Sequence, residues 1–176
     1  MIDKVIVKDN ILTEDECDFL IDYYQNNPYK IKHKRTRFVR MDGRWHSYFN
    51  FRFWKEFKPF NLRKRLIRMK FMKKILDIST IPLKLNYDQL VYRLPGEEMP
   101  LHKDNDFPPT DGKPAFIHNW VSVCYLNDDY LGGETLVENI RVTPNKGRVT
   151  LFNSKQLYHG VSKTNAPRYT YIAWWE

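Results

Sequence analysis

Leu101-His102-Lys103-Asp104 sets an imidazole and a carboxylate two residues apart, directly after the turn-forming run Pro95-Gly96-Glu97-Glu98-Met99-Pro100. In an extended segment residues at that spacing point to the same side, so one ion can take both donors. The candidate third donor is His159, which comes 57 residues after His102, follows the apolar run Val149-Thr150-Leu151-Phe152 and precedes Gly160. Two imidazole nitrogens and one carboxylate oxygen leave three octahedral positions open, a donor set suited to ferrous iron that must also admit a co-substrate and O2. The triplet alone is a weak signal. The chain has five histidines, surface turns often hold His-x-Asp, and a lone histidine is more often structural than ligating.

Arg168 raises the value of that cluster. It lies nine residues beyond His159 and opens the run Arg168-Tyr169-Thr170-Tyr171-Ile172-Ala173-Trp174-Trp175. Strand alternation puts Arg168, Thr170, Ile172 and Trp174 on one face, with a guanidinium at the end of an otherwise apolar surface. No acidic side chain lies near it in sequence, and a bidentate pair with the carboxylate of a bound oxo acid would supply the missing charge. The alternative is an arginine at a strand end reaching solvent.

These residues need a scaffold to converge, and the chain shows one. Ile2, Val5, Ile6 and Val7 read as a short strand ending at Asp9-Asn10. Thr13 and Glu16 form a capping-box pattern for a helix that continues through Cys17, Leu20, Ile21 and Tyr24 and stops at Asn26-Asn27-Pro28. A strand is possible near 36–41, and Asp42-Gly43 signals a turn. Leu62, Leu66, Ile67, Met69, Phe71, Met72, Ile75 and Leu76 alternate with cations as an amphipathic helix. After Pro82 the texture changes to β-type runs at 84–94, 116–126, 134–142, 147–152 and 168–175, separated by Pro and Gly. The expectation is a mainly β sandwich or barrel with the earlier helices packed on its outside.

A chain of 176 residues has room for one domain with a sizeable core. A single domain over 1–176 is expected, with 1–83 as strand and supporting helices and 84–176 as the barrel core. Lys and Arg number 29 against 21 acidic residues, a formal charge of +8, with much of the excess between residues 30 and 74. That basic stretch reads as a solvated helical face ahead of a nucleic-acid groove. Cys17 and Cys124 are too few and too far apart for a disulfide framework or thiolate metal site, and are expected to be buried thiols in a reducing compartment. With no signal-peptide pattern at the start and no apolar stretch of membrane-spanning length, the expected location is the cytoplasm, away from membranes.

Taken in order, the motifs resemble the prolyl 4-hydroxylase-like Fe(II)/2-oxoglutarate dioxygenases. The resemblance is carried by the opening strand and helix through Cys17, Tyr92-Arg93-Leu94-Pro95-Gly96 with His102-x-Asp104, Tyr125-Leu126-Asn127-Asp128, and Gly132-Gly133-Glu134-Thr135. It continues through Pro144-x-x-Gly147-Arg148-x-x-Leu151-Phe152-Asn153-Ser154, Tyr158-His159-Gly160-Val161 and Arg168-Tyr169-x-x-x-x-Trp174, and fades between residues 29 and 83. It implies a double-stranded β-helix (jelly roll) barrel. It also implies iron held by His102, Asp104 and His159, and Arg168 on the C5 carboxylate of 2-oxoglutarate. Tyr125 would add a hydroxyl to that carboxylate, Tyr92 and Thr135 would line the same pocket, and Trp174 would wall it; barrel core is the plainer role for Tyr125, Thr135 and Trp174. O2 would be the second co-substrate, with ascorbate as a possible reductant.

Hydroxylation of a proline or another residue in a peptide or protein substrate is the leading functional expectation. An oxygenase acting on nucleic acid or a small molecule, and a non-catalytic jelly-roll binding module, are the alternatives. Against the nucleic-acid reading, the superfamily's nucleic-acid demethylases carry a second arginine six residues beyond the first, where this chain has Trp174. Gly132-Gly133 reads as a turn, and the polar loop 103–112 as either a substrate-facing lid or an ordinary connection.

Overall fold

The computed structural model describes residues 5–27, 30–33, 36–41, 61–104 and 119–176. Strand β1 (Val5–Lys8) leads into helix α1 (Glu14–Gln25), then β2 (Ile31–His33), β3 (Thr36–Arg40) and helix α2 (Leu62–Ile78). The remaining strands are β4 (Leu85–Arg93), β5 (Met99–His102), β6 (Trp120–Tyr125), β7 (Thr135–Val137), β8 (Ile140–Val142), β9 (Val149–Phe152), β10 (His159–Val161) and β11 (Arg168–Trp175). They form a seven-stranded sheet in the order β1-β9-β6-β11-β4-β3-β2 and a four-stranded sheet in the order β5-β10-β7-β8, antiparallel throughout. This is the expected jelly roll with the helices outside.

Helix α1 begins where the sequence says it must. The Thr13 hydroxyl accepts the Glu16 N–H at 3.3 Å while the Glu16 carboxylate accepts the Thr13 N–H at 2.9 Å, so two otherwise unpaired amides are satisfied. Asn61 caps α2 in the same way, accepting from Lys64 N–H at 2.9 Å.

Register decides which side chains meet. Arg168, Thr170, Ile172 and Trp174 of β11 lie opposite Arg93, Val91, Gln89 and Tyr87 of β4, and Thr170, Ile172 and Trp174 lie opposite Tyr125, Val123 and Val121 of β6. Directly opposed residues share a face, so these side chains line the lumen between the two sheets. There Val121, Val123, Phe152, Ile172 and Trp174 pack with Val137 of the smaller sheet and Leu157.

The other face carries Leu90, Cys124, Val149, Leu151, Tyr171, Ala173 and Trp175, and is covered by Cys17, Leu20 and Tyr24 of α1 and Ile67, Phe71 and Ile75 of α2. One buried charge sits in that layer. Asp88, fully buried, accepts from Arg68 at 2.7 and 3.0 Å and from the Tyr171 hydroxyl at 2.5 Å. The group pins α2 to the sheet with every partner charge-assisted.

Much of the basic excess of α2 is spent on such clamps. Lys70 bonds Glu16 at 2.7 and 2.8 Å, Lys73 pairs with Asp77 one turn on, Lys74 reaches the Asn10 carbonyl, and Arg63 and Lys64 lie over Phe19 and Tyr23. Among the described residues no helix is long and apolar enough to cross a membrane. Cys17 and Cys124 are free and buried.

The structure revises the sequence reading in three places. The run 134–142 is a hairpin, β7 and β8, because Glu138 takes a left-handed conformation at φ 51° and reverses the chain. Strands β2 and β10, each of three residues, were not expected. The strand holding His102 stops there, and Asp104 lies outside it. Lys34, Arg35, the Asp42-Gly43 turn, the loop beyond Asp104 and the first residues of the 116–126 run lie outside the described residues.

Candidate metal centre

His102 ends β5 and His159 begins β10, and the two strands pair so that the histidines stand directly opposite each other. Their rings are 4.4 Å apart between centroids. The close strand approach requires Gly160: a Cβ there would fall 2.6 Å from the Met99 carbonyl oxygen and 3.2 Å from Pro100. Asp104 is brought round by its backbone N–H, which donates to the Ser154 carbonyl at 3.0 Å just past β9.

The histidines present one defined nitrogen each. Nδ1 of His102 is 2.9 Å from the Pro100 carbonyl and Nδ1 of His159 is 3.1 Å from the Leu157 carbonyl. A carbonyl can only accept, so in the neutral form each ring carries its proton on Nδ1, which makes Nε2 the nitrogen able to ligate a metal. Those Nε2 atoms stand 3.8 Å (His102) and 3.5 Å (His159) from Oδ1 of Asp104, and the three donors lie within 4.8 Å of one another. Adjacent ligands of a small divalent ion bound at about 2.1 Å are about 3 Å apart, so both nitrogen-to-oxygen separations lie within about an ångström of ligating geometry. The nitrogen-nitrogen-oxygen donor set fits ferrous iron.

Arg168 lies further along the same lumen. It is 1% exposed, and its guanidinium donates from Nε to the Gly133 carbonyl at 2.9 Å and from Nη2 to Thr135 Oγ1 at 3.3 Å while lying 5.1 Å from the Tyr125 ring centroid. Gly133 explains that intimacy: its φ is 65°, and a Cβ would meet the Tyr130 ring at 2.6 Å and Arg168 Cδ at 3.1 Å. Gly132 and Gly133 both take positive φ, 75° and 65°, and the second permits close approach to the guanidinium.

Tyr125 and Thr135 join Arg168. The Tyr125 hydroxyl accepts the Thr135 N–H at 2.7 Å and lies 2.7 Å from Thr135 Oγ1 and 2.8 Å from the Val142 carbonyl, to which its proton is donated in turn. Trp174 shares the face but sits three inward positions from Arg168, about 20 Å along the strand. It stacks on Tyr87 at 4.5 Å and packs with Phe152, whose ring is 5.1 Å from His159. Trp174 thus lies at the opposite end of β11 from the guanidinium.

Tyr92 does not line this pocket. It stands opposite Tyr169, on the helix-covered face, in an aromatic cluster with Tyr24 and Tyr169 at centroid distances of 5.7 and 4.9 Å. The inward residue at that end of β4 is its neighbour Arg93, 5% exposed, which sequence reasoning passed over. The lumen also holds two threonines, one of which, Thr150, the sequence reading did not place there. Thr170 and Thr150, on the wall of the larger sheet, are fully buried with Oγ1 atoms that have no partner among the described residues.

Comparison with known proteins agrees with this geometry. The model of the 2OG-Fe(II) oxygenase superfamily matches residues 88–176, which is half of the chain and includes all three candidate metal ligands and Arg168. A sequence search of curated proteins gives no match. Among solved structures, the viral collagen prolyl hydroxylase vCPH of Paramecium bursaria Chlorella virus-1, in complex with 2OG, superposes with a TM-score of 0.69 at 17% identity, covering 98% of this chain and 94% of that one. A Trichoplax adhaerens prolyl hydroxylase holding a hypoxia inducible factor peptide gives 0.65 at 15% identity, with 98% and 83% covered. HygX of Streptomyces hygroscopicus, with nickel and 2-oxoglutarate bound, gives 0.63 at 15%, with 98% and 82% covered. Fold, donor set and family match point the same way: the chain belongs to the 2OG-Fe(II) oxygenase superfamily.

Proposed function

We propose that this oxygenase hydroxylates a proline, or another residue, in a peptide or protein substrate, releasing succinate and CO2. The observation that carries the reading is the convergence of His102, Asp104 and His159 on one lumen that ends at the buried Arg168. The collagen and hypoxia-inducible-factor prolyl hydroxylases of similar fold support a peptide as substrate. The nucleic-acid reading has less support: many α2 cations are committed to Asp88, Glu16 and Asp77 or lie over α1 aromatics.

In this reading His102 and His159 bind the iron through Nε2 and Asp104 through a carboxylate oxygen. Bound iron, 2-oxoglutarate and O2 supply the oxidising power that converts a C–H bond to C–OH. The chain's own work is positional. Arg168 holds the distal carboxylate of the oxo acid, the hydroxyls of Thr135 and Tyr125 border it, and Val123, Ile172 and Phe152 keep the lumen dry between guanidinium and metal. Trp174 and Tyr87 flank the end where substrate would enter. We also assign the whole of 1–176 to one domain, because α1 and α2 pack on the same sheet that forms the lumen, and we place it in the cytoplasm, a reading that the two free thiols support.

The test is mass spectrometry of proline-rich peptide libraries after aerobic incubation with the protein, ferrous iron and 2-oxoglutarate. One oxygen added to a peptide, coupled to 2-oxoglutarate loss and absent with His102→Ala, is expected. Robust turnover stimulated by a nucleic acid or small molecule, with every peptide unmodified, overturns the peptide assignment.

A further inference from the structure

The lumen contains a second guanidinium. Arg93 closes β4 directly opposite Arg168 on β11, so the two side chains leave neighbouring strands on the same face, with Cβ atoms about 5 Å apart. Arg93 is 5% exposed, and its Nε and Nη1 have no hydrogen-bond partner among the described residues. The nearby carboxylate does not serve it. Glu97 accepts the Leu94 N–H at 2.8 Å and pairs with Arg37 at 3.5 Å.

Burial first, and then the adjacent Arg168 charge, pull the Arg93 guanidinium down to about 10, against an upward pull from Glu97. It is still a cation at neutral pH. A buried, uncompensated cation is costly, and a like charge across the strand pair adds to the cost. Arg168, by contrast, already has the Gly133 carbonyl and Thr135 hydroxyl. Two buried cations with no protein carboxylate bonded to either among the described residues define an anion site of higher charge than one arginine makes.

We propose that Arg93 is a second anchor for the distal carboxylate of the oxo-acid co-substrate, gripping it from the β4 side while Arg168 grips it from β11. The assignment rests on the oxygenase reading above and names the residue that sets co-substrate selectivity within it. A carboxylate offers about four lone-pair positions, enough for two guanidinium forks. Doubling the cation favours 2-oxo diacids over 2-oxo acids that carry only the carboxylate beside the keto group.

The experiment is calorimetric titration of the Mn(II)-loaded protein with 2-oxoglutarate and with 2-oxobutyrate, in wild type, Arg93→Met and Arg93→Lys, together with the melting temperature of each ligand-free protein. Arg93→Met is expected to weaken 2-oxoglutarate binding by about tenfold or more, and 2-oxobutyrate binding by no more than about threefold. Arg93→Lys should recover most of the loss, and the ligand-free Arg93→Met protein should melt no lower than wild type. Unchanged 2-oxoglutarate affinity in Arg93→Met, or an equal loss for both acids, overturns the proposal, as does failure of both variants to fold. If wild type itself binds neither acid, the oxygenase reading falls and this assignment falls with it.

Discussion

The two faces of the seven-stranded sheet bury polar groups on opposite terms. On the helix-covered face Asp88 has three charge-assisted or short bonds, and the Trp175 indole donates to Ser122 at 3.0 Å. The Tyr24 hydroxyl and the Arg37 Nη1, which is 3.5 Å from Glu97, are exceptions there. On the lumen face Arg93, Thr150 and Thr170 are buried with polar atoms that no described residue satisfies. A protein that satisfied its outer layer so fully had the means to do the same inside. The difference separates a face built for adhesion from one built to complete its bonds with something bound.

Substitutions should therefore have opposite signs on the two sides. The largest effect belongs outside: Asp88→Ala removes the carboxylate that serves the Tyr171 hydroxyl and the Arg68 guanidinium, and should cost about 3 kcal/mol in denaturant unfolding. Oxo-acid affinity of the folded protein should stay within about twofold of wild type. A stability loss under about 1 kcal/mol would erase the contrast.

Inside, Thr150→Val replaces an unpartnered buried hydroxyl with a methyl of similar shape, and should stabilise the ligand-free protein by about 1 kcal/mol. A fall in melting temperature would show that this hydroxyl belongs with the paired groups of the other face. The smallest effect is expected at the outer rim, where burial raises the Glu16 carboxyl but hydrogen bonds from Lys70 and Thr13 outweigh it and hold the group below its usual range. A lowered folded-state value means stability that is present above the unfolded-state pKa and is lost as pH falls through the folded one. Lys70→Ala should thus cost about 0.5 kcal/mol at neutral pH. Unfolding curves measured below pH 4 should show the gap to wild type closing; a gap independent of pH would remove Glu16 from the explanation.

What could be read from sequence tracks how local the determining physics is. The capping box at Thr13 and Glu16, the alternation of β11 and the stripe of α2 depend on neighbours within one turn or one strand, and each appears where its pattern put it. The His102, Asp104 and His159 cluster was legible because residue chemistry and motif order constrain it even though its strands, β5 and β10, are too short to show a period. Arg93 and Tyr92 were not legible. Strand β4 packs on both faces, so Leu90, Val91 and Tyr92 form a continuous apolar run without alternation, and only pairing with β11 reveals which of the two adjacent side chains turns inward.

The opposed histidines constrain how the chain can change length. His159 meets His102 in a fixed register, with an irregularity immediately beyond the pair, and a slip of one residue in either strand would turn a ligand to the wrong side. Insertions and deletions should therefore be tolerated outside these two short strands and purged within them. A descendant that gained one residue between Gly96 and His102 would keep every amino acid of the motif and lose its use.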